Sequence, residues 1–209
     1  MKMSIVPFEK YTQTYEDWFE KHRFAYESEL EAVKALLPKG KGVEIGVGSG
    51  RFAGPLGIKF GVEPSPKMRE IAEKKEIEVV DGVAENLPYD NETFDYALMV
   101  TTLCFLDDVD VAFREIYRIL KPEGHFINGF IDRESKLGKL YMQHKQENVF
   151  YRVAHFYSID NVISHLTAAG FRDFDFRQTI FQDLNEIKSV ELIKPGYGKG
   201  SFVVVKAKK

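Results

Sequence analysis

The stretch Val43-Glu44-Ile45-Gly46-Val47-Gly48-Ser49-Gly50 decides how the rest of the chain is read. A short β-branched run ending in alternating glycines is a strand whose carboxyl end lets backbone approach a ligand closely. That ligand lies beside the N-terminus of the following helix, at the edge of a parallel sheet where the strand order reverses. A glycine-rich turn is also an ordinary structural βα connection. Two details narrow the choice. The pattern that holds NAD, G-x-G-x-x-G, needs glycine at position 51, which here is Arg51. Glu44 stands two residues before the first glycine, inside the strand, where a buried carboxylate needs a ligand ammonium, loop amides or water as partner.

Upstream, residues 8–37 read as helical, because Leu30, Val33 and Leu37 recur at helical spacing and Pro38-Lys39-Gly40 stops the helix. Residues 1–40 are expected to form a helical cap, with 41–209 as the one domain it serves. Downstream, 58–63 is a second strand, and Pro64-Ser65-Pro66 opens a helix with Ser65 as N-cap and Pro66 at its first position. A third strand at 78–81 precedes an irregular segment, 82–91. The apolar run 94–100 is a central strand covered on both faces. A helix at 109–120 ends at Lys121-Pro122-Glu123-Gly124, and a strand at 125–131 follows. This alternation builds a parallel sheet between helical layers.

After Asp132 the pattern changes. Residues 134–157 are rich in Tyr, His, Gln and Phe, and a helix at 158–169 ends at Gly170. Strands at 171–181 and 202–205 flank Lys194-Pro-Gly-Tyr-Gly-Lys-Gly200, a hairpin signal that makes the last strands antiparallel neighbours. That ending is unusual for a dinucleotide-binding fold.

A second candidate ligand is Glu63, closing Phe60-Gly61-Val62-Glu63-Pro64. A carboxylate there can accept both hydroxyls of a ribose, or simply face the helix N-terminus behind it. With Glu44 and the glycines upstream, ribose binding is the favoured reading.

At these residues the chain resembles the class I, Rossmann-like S-adenosylmethionine-dependent methyltransferases, in the small-molecule branch typified by ubiquinone and menaquinone biosynthesis. Residues 43–50 look like the first motif of that family and 61–65 like its second. Asp81-Gly-Val-Ala-Glu-Asn-Leu-Pro-Tyr89 with Phe94-Asp95 is similar to the third and fourth, and 114–124 resembles the entry to strand five. The resemblance implies a three-layer sandwich around a mostly parallel seven-stranded sheet with an antiparallel C-terminal strand. It implies S-adenosyl-L-methionine as cofactor. Glu44, Gly46, Gly48 and Gly50 would lie at its methionine end, Glu63 and Pro64 at the ribose, Gly82, Val83 and Ala84 beside adenine, and Thr101 in the loop after strand four. Two positions depart from the family pattern. Val83 replaces the acid that usually bonds the adenine amino group, and Glu123 replaces a common glycine.

The resemblance further implies methyl transfer to nitrogen or oxygen of a small molecule, with residues 134–157 as a mobile cover over the acceptor. His144 and His155, with Tyr141, Tyr151 and Tyr157, are the proton-handling groups nearest that role. Each reads more commonly as a surface histidine or packed tyrosine, so no catalytic residue is named. Tyr11, Tyr15, Trp18 and Phe19 form either an aromatic lid or the apolar face of a docked helix. No Asn/Asp-Pro-Pro-Tyr/Phe/Trp tetrapeptide follows strand four, which opposes transfer to adenine bases or glutamine side chains. The alternatives are a protein or RNA methyltransferase, a nicotinamide oxidoreductase (opposed by Arg51 and the hairpin) and a non-catalytic cofactor-binding regulator.

Composition sets the bounds. The chain has 209 residues, 44% hydrophobic and 29% charged, which suits one folded domain. A net charge of -3 gives no general attraction to phosphate backbones, so no nucleic-acid partner is expected. Cys104 is the single cysteine, so an intrachain disulfide and a thiolate zinc cluster are both excluded, and no metal is expected. Cys104 itself reads as a small buried apolar residue. No run of about 18 apolar residues is present and the first ten residues carry no signal-peptide core, so a cytoplasmic location off the membrane is expected.

Overall fold

Five strands lie parallel, as the β-α alternation implies: β1 (Gly42–Ile45), β2 (Phe60–Val62), β3 (Glu78–Val80), β4 (Phe94–Val100) and β5 (Leu120–Ile131). The structure, a computed structural model, describes residues 5–209. The full sheet adds β6 (Arg172–Thr179), β7 (Lys194–Pro195) and β8 (Phe202–Lys208), in the order β3-β2-β1-β4-β5-β8-β6-β7. Eight strands thus replace the expected seven, the extra one being the two-residue β7 at the edge. The strands on either side of 194–200, β6 and β8, are antiparallel neighbours, as the hairpin signal implies. β7 pairs back onto β6, while β8 inserts antiparallel between β5 and β6.

Two apolar layers fill the sandwich, and strand alternation assigns residues to them. Phe126 and Phe130 of β5 face α6 (Val109–Ile119) and α8 (Ile159–Ala168), whereas Ile127 joins the opposite layer. On α6 the residues Ala112, Phe113, Ile116 and Ile119 are fully buried at helical spacing. Asp108 caps that helix by accepting from Asp110 N and Val111 N, both at 3.0 Å, a contribution of about 1 kcal/mol. The expected turn at 121–124 is instead a bulge in β5: the β4 register jumps between Phe94 and Tyr96, and Glu123 takes a φ of 65°.

The opposite layer corrects the reading of the N-terminus. The helical stretch 8–37 is three helices, α1 (Val6–Lys10), α2 (Thr12–Lys21) and α3 (Arg23–Lys34), broken at Tyr11 and His22. Residues 1–40 are therefore no uniform cap. Ala25, Ala32 and Val33 of α3 are buried against the sheet beside Ile127 and Val204, so α3 belongs to the sandwich. Only α1 and α2 lie over the carboxyl edge, tied to its loops. Glu9 accepts from Ser65 Oγ at 2.5 Å and Lys67 N at 2.9 Å, at the start of α5 (Pro66–Glu73). Glu16 accepts from Ser49 Oγ and from Arg51 Nη2 at 2.6 Å. Residues 134–157 hold α7 (Lys136–Gln143) and two 3-10 turns, Lys145–Glu147 and Tyr151–Val153.

Candidate functional site

β1 and β4 are neighbours, but β1 continues toward β2 and β4 toward β5, so their carboxyl ends flank the crevice where open α/β sheets bind ligands. A cavity of about 900 Å³ opens there. Gly46 and Gly48 line it with φ of 69° and 54°, a left-handed backbone that glycine adopts without cost. Gly46 N and Val47 N both donate to Val62 O, at 2.8 and 3.0 Å, which pins the turn to the end of β2. A Cβ on Gly46 would fall 2.4 Å from Thr102 Cγ2. The Thr102 hydroxyl in turn donates to Gly46 O at 3.2 Å.

Glu63 lines the cavity at the end of β2, only 8% exposed. Its carboxylate accepts from Gly48 N and Ser65 N, each at 2.9 Å. Burial pushes its carboxyl up to about 7, against the pull of those two N–H groups. Those bonds correspond to the helix-entry reading of Glu63. The side chain ties the glycine turn to the start of α5, and it still faces the cavity. Gly82, Val83, Ala84 and Pro64 also line the cavity, as does Thr101, held at a φ of 50°. Such a φ is strained for a β-branched residue and marks a backbone fixed by its surroundings.

Two expected site residues lie elsewhere. Glu44 and Gly50 are not among the groups that line the cavity. Gly50 is a packing glycine: its φ is 77°, and a Cβ there would meet Ile77 Cδ1 at 2.6 Å. Glu44 is 2% exposed, under the turn, where burial holds its carboxyl well above the usual carboxylate range despite a hydrogen bond from the Ala53 backbone. Its Oε2 has no hydrogen-bond partner, an orphaned acceptor directly beneath the glycine backbone.

These features fit the methionine-derived nucleoside that the sequence resemblance implies. The turn is free of Cβ atoms at the cavity wall, the Glu63 carboxylate lines the cavity where the resemblance expects the ribose, and Pro64, Met68, Val83 and Leu103 give an apolar slot. Glu85, two residues after Val83, also lines the cavity and accepts from Asp107 N at 2.8 Å.

Beyond the nucleotide-sized part, the cavity is walled by residues that carry no motif. Tyr15, Trp18 and Phe19 face it from α2, and Phe19, itself buried, packs edge-on against Tyr26 at 5.1 Å. The aromatic stripe thus serves as lid and as docked face at once, and Tyr11 does not reach the cavity. From 134–157 come Tyr141 and Tyr151, with ring centroids 4.5 Å apart, and Phe150, 5.3 Å from Phe8 of α1. His144 pairs with Glu147 at the surface, and neither it nor His155 lines the main cavity. Cys104 does line it, but burial pushes its thiol up to about 12, too high for a thiolate nucleophile at neutral pH. His22, at the break before α3, and Glu29 of α3 line the cavity and belong to no sequence motif. The one signal for Glu29 is an acid among the buried positions Ala25, Ser28, Ala32 and Val33. Among the described residues no cluster of His, Cys, Asp or Glu is placed to hold a metal ion, and no helix is long and apolar enough to cross a membrane.

A glycine turn at the switch point, a carboxylate at the end of β2 and a last strand inserted antiparallel beside β5 together define an S-adenosylmethionine-dependent methyltransferase fold and site. Comparison with known proteins agrees. Residues 43–128 match the family described as Methyltransferase domain. An uncharacterised protein of Methanocaldococcus jannaschii is 45% identical over 202 residues, covering 97% of this chain and 98% of that one. A Thermotoga maritima crystal structure is 52% identical with a TM-score of 0.97 over 99% of both chains. It is described as a SAM-dependent methyltransferase, possible histamine N-methyltransferase. A demethylmenaquinone methyltransferase of Lactobacillus johnsonii is 37% identical over 79 residues, 34% of this chain and 32% of that one. The chain belongs to the class I S-adenosylmethionine-dependent methyltransferases.

Proposed function

We propose that the protein transfers a methyl group from S-adenosylmethionine to a nitrogen or oxygen atom of a small-molecule acceptor. The observation that carries this reading is the cavity itself. It runs from the glycine turn, where the Tyr15 hydroxyl stands beside Gly48, to a part walled by Trp18, Tyr141 and Tyr151. The description of the Thermotoga maritima relative favours nitrogen among the acceptors.

The roles divide accordingly. Gly46 and Gly48 leave backbone room for the methionine portion, Glu63 accepts from the ribose hydroxyls, and Gly82 to Ala84 with Pro64 and Met68 enclose the adenine. Thr101 holds the loop beside the transferred group. Glu44 and Gly50 act one layer back, shaping the turn. The sulfonium supplies an already activated methyl group, so the protein's task is positioning. Holding two reactants in near-attack geometry removes roughly 7–11 kcal/mol of barrier. The half-buried aromatic walls exclude water from the acceptor compartment.

The test is a screen of small amines, phenols and carboxylates with methyl-labelled S-adenosylmethionine. Label in a small product supports the reading. Label recovered only in protein or RNA added to the assay contradicts it and favours a macromolecular acceptor.

A further inference from the structure

Among the described residues, Glu29 is the buried acid that lines the part of the cavity proposed for the acceptor. It sits on α3, 3% exposed, and lines the cavity. Among the described residues no hydrogen bond or ion pair reaches its carboxyl group, and burial alone governs its titration. A buried carboxylate without a partner is costly, and natural proteins keep one where a ligand completes it. We propose that Glu29 receives the protonated nitrogen of a small aromatic amine, which makes cationic amines the ligand class of this compartment; a nitrogen that takes the methyl group there first passes its proton to the ionised Glu29, and the freed lone pair then bonds the methyl carbon as the carbon–sulfur bond breaks and S-adenosylhomocysteine leaves. The inference rests on the small-molecule reading above.

The surroundings suit a cation in three ways. Tyr141 and Tyr151, which share a hydrogen bond, are the groups that interact electrostatically with Glu29, and burial raises both hydroxyls, so they stay neutral. Their rings and that of Trp18 offer π faces to a cation. The positive side chains on the cavity wall lie away from the buried acid. Lys21 and Lys139 are exposed, and Lys136 is paired with Asp183 at 2.8 Å. His22, at the start of α3, is held below its usual range by burial and the nearby Lys21, so it is neutral at pH 7 and does not neutralise Glu29. Burial lifts the empty Glu29 carboxyl to about 8. A bound ammonium stabilises the ionised form and reverses that shift.

The same geometry gives a stability signature. Removing an unpaired buried acid relieves a penalty, so Glu29→Gln and Glu29→Leu should melt at or above the parent temperature. A structural role for Glu29 requires the opposite.

The test is calorimetry in saturating S-adenosylhomocysteine, with phenethylamine and histamine as probes and phenethyl alcohol as the neutral counterpart. The parent should bind at least one amine tenfold or more tighter than the alcohol. Glu29→Gln should lose at least tenfold in amine affinity, with S-adenosylhomocysteine affinity and melting temperature maintained. Amine affinity unchanged in Glu29→Gln, no preference for either amine over the alcohol, or a large drop in melting temperature in both variants overturns the proposal. Failure to bind S-adenosylhomocysteine at all contradicts the methyltransferase reading itself, and so separates the two.

Discussion

The two halves of the cavity are built on different principles. The cofactor half is made of backbone: left-handed glycines at 46 and 48, a carboxylate whose main partners are N–H groups, and loops hydrogen-bonded to the ends of β2 and β3. The half proposed for the acceptor is made of side chains, supplied by α2, α3 and residues 134–157, which touch through aromatic edges such as Tyr15–Phe150. A backbone site tolerates little change and is shared by relatives with different substrates. A side-chain site can be rebuilt residue by residue, which is how one fold serves many acceptors.

The sharpest way to break this contrast is Gly46→Val. Left-handed backbone costs a non-glycine residue roughly 1–2 kcal/mol, and the new side chain must displace Thr102 as well. S-adenosylhomocysteine affinity should fall by well over tenfold and the apo protein should melt lower, as calorimetry and thermal unfolding would show. Unchanged affinity would mean that the turn does not define the cofactor half.

Glu63→Ala comes next. Bonds to a charged acceptor are worth roughly 1.5–3 kcal/mol each, so a ten- to few-hundred-fold loss of cofactor affinity is expected. Because Gly48 N and Ser65 N lose their acceptor, apo stability should fall too, by about 1–3 kcal/mol for each N–H left dry. Glu63→Gln keeps one acceptor oxygen and should fall between. A loss of stability without loss of affinity would leave Glu63 as a loop tie alone.

A pH series compares the halves through their acids. Folded Glu63 and Glu29 both titrate above the ordinary carboxylate value of 4.5, at about 7 and about 8. Their contribution to apo stability is full below 4.5 and is lost as pH rises through those values. Melting temperature should therefore decline between about pH 5 and 8, by about 2–4 °C per kcal/mol lost. Glu29→Leu should flatten the upper part of that decline. A flat parent profile would show that neither acid is held protonated by burial.

The smallest effect is expected at the ties between helix and loop. Glu9→Gln with Glu16→Gln should cost no more than about 1 kcal/mol per weakened, partly exposed pair. Hydrogen exchange in α1 and α2 should nevertheless quicken while that in α3 stays slow, because α3 is packed in the sandwich. Equal acceleration in all three helices would restore a uniform cap.

Legibility in the sequence follows the same division. Glycines with positive φ leave a pattern among the residues, so the turn at Gly46 and Gly48 is legible in the amino-acid order, whereas the loop at 82–84 is reached only through the family resemblance. Gly50 carries the same pattern for a different reason, packing against Ile77 and Ala72, and spacing alone cannot separate the two uses. Glu29 escapes sequence reading because a helix with one buried acid keeps its apolar period, and burial is a property of what packs on it. The break of 8–37 at Tyr11 and His22 is equally silent because neither residue is a helix breaker. They sit at φ of -121° and -113°, where tertiary contacts turn the chain. β7 is two residues long and exists only by pairing with Arg177 and Gln178. The insertion of β8 between β5 and β6 is likewise a long-range event that a turn signal foretells only as antiparallel pairing.

The central claim, that one cavity joins a backbone-built cofactor half to a side-chain-built acceptor half, is tested most directly by a crystal structure with S-adenosylhomocysteine and phenethylamine. The expected result has the ribose hydroxyls within hydrogen-bonding distance of Glu63, the homocysteine against Gly46 and Gly48, and the sulfur turned toward the space walled by Glu29, Tyr141 and Tyr151. A nucleoside bound away from Glu63, or a sulfur facing bulk solvent rather than that compartment, would contradict it.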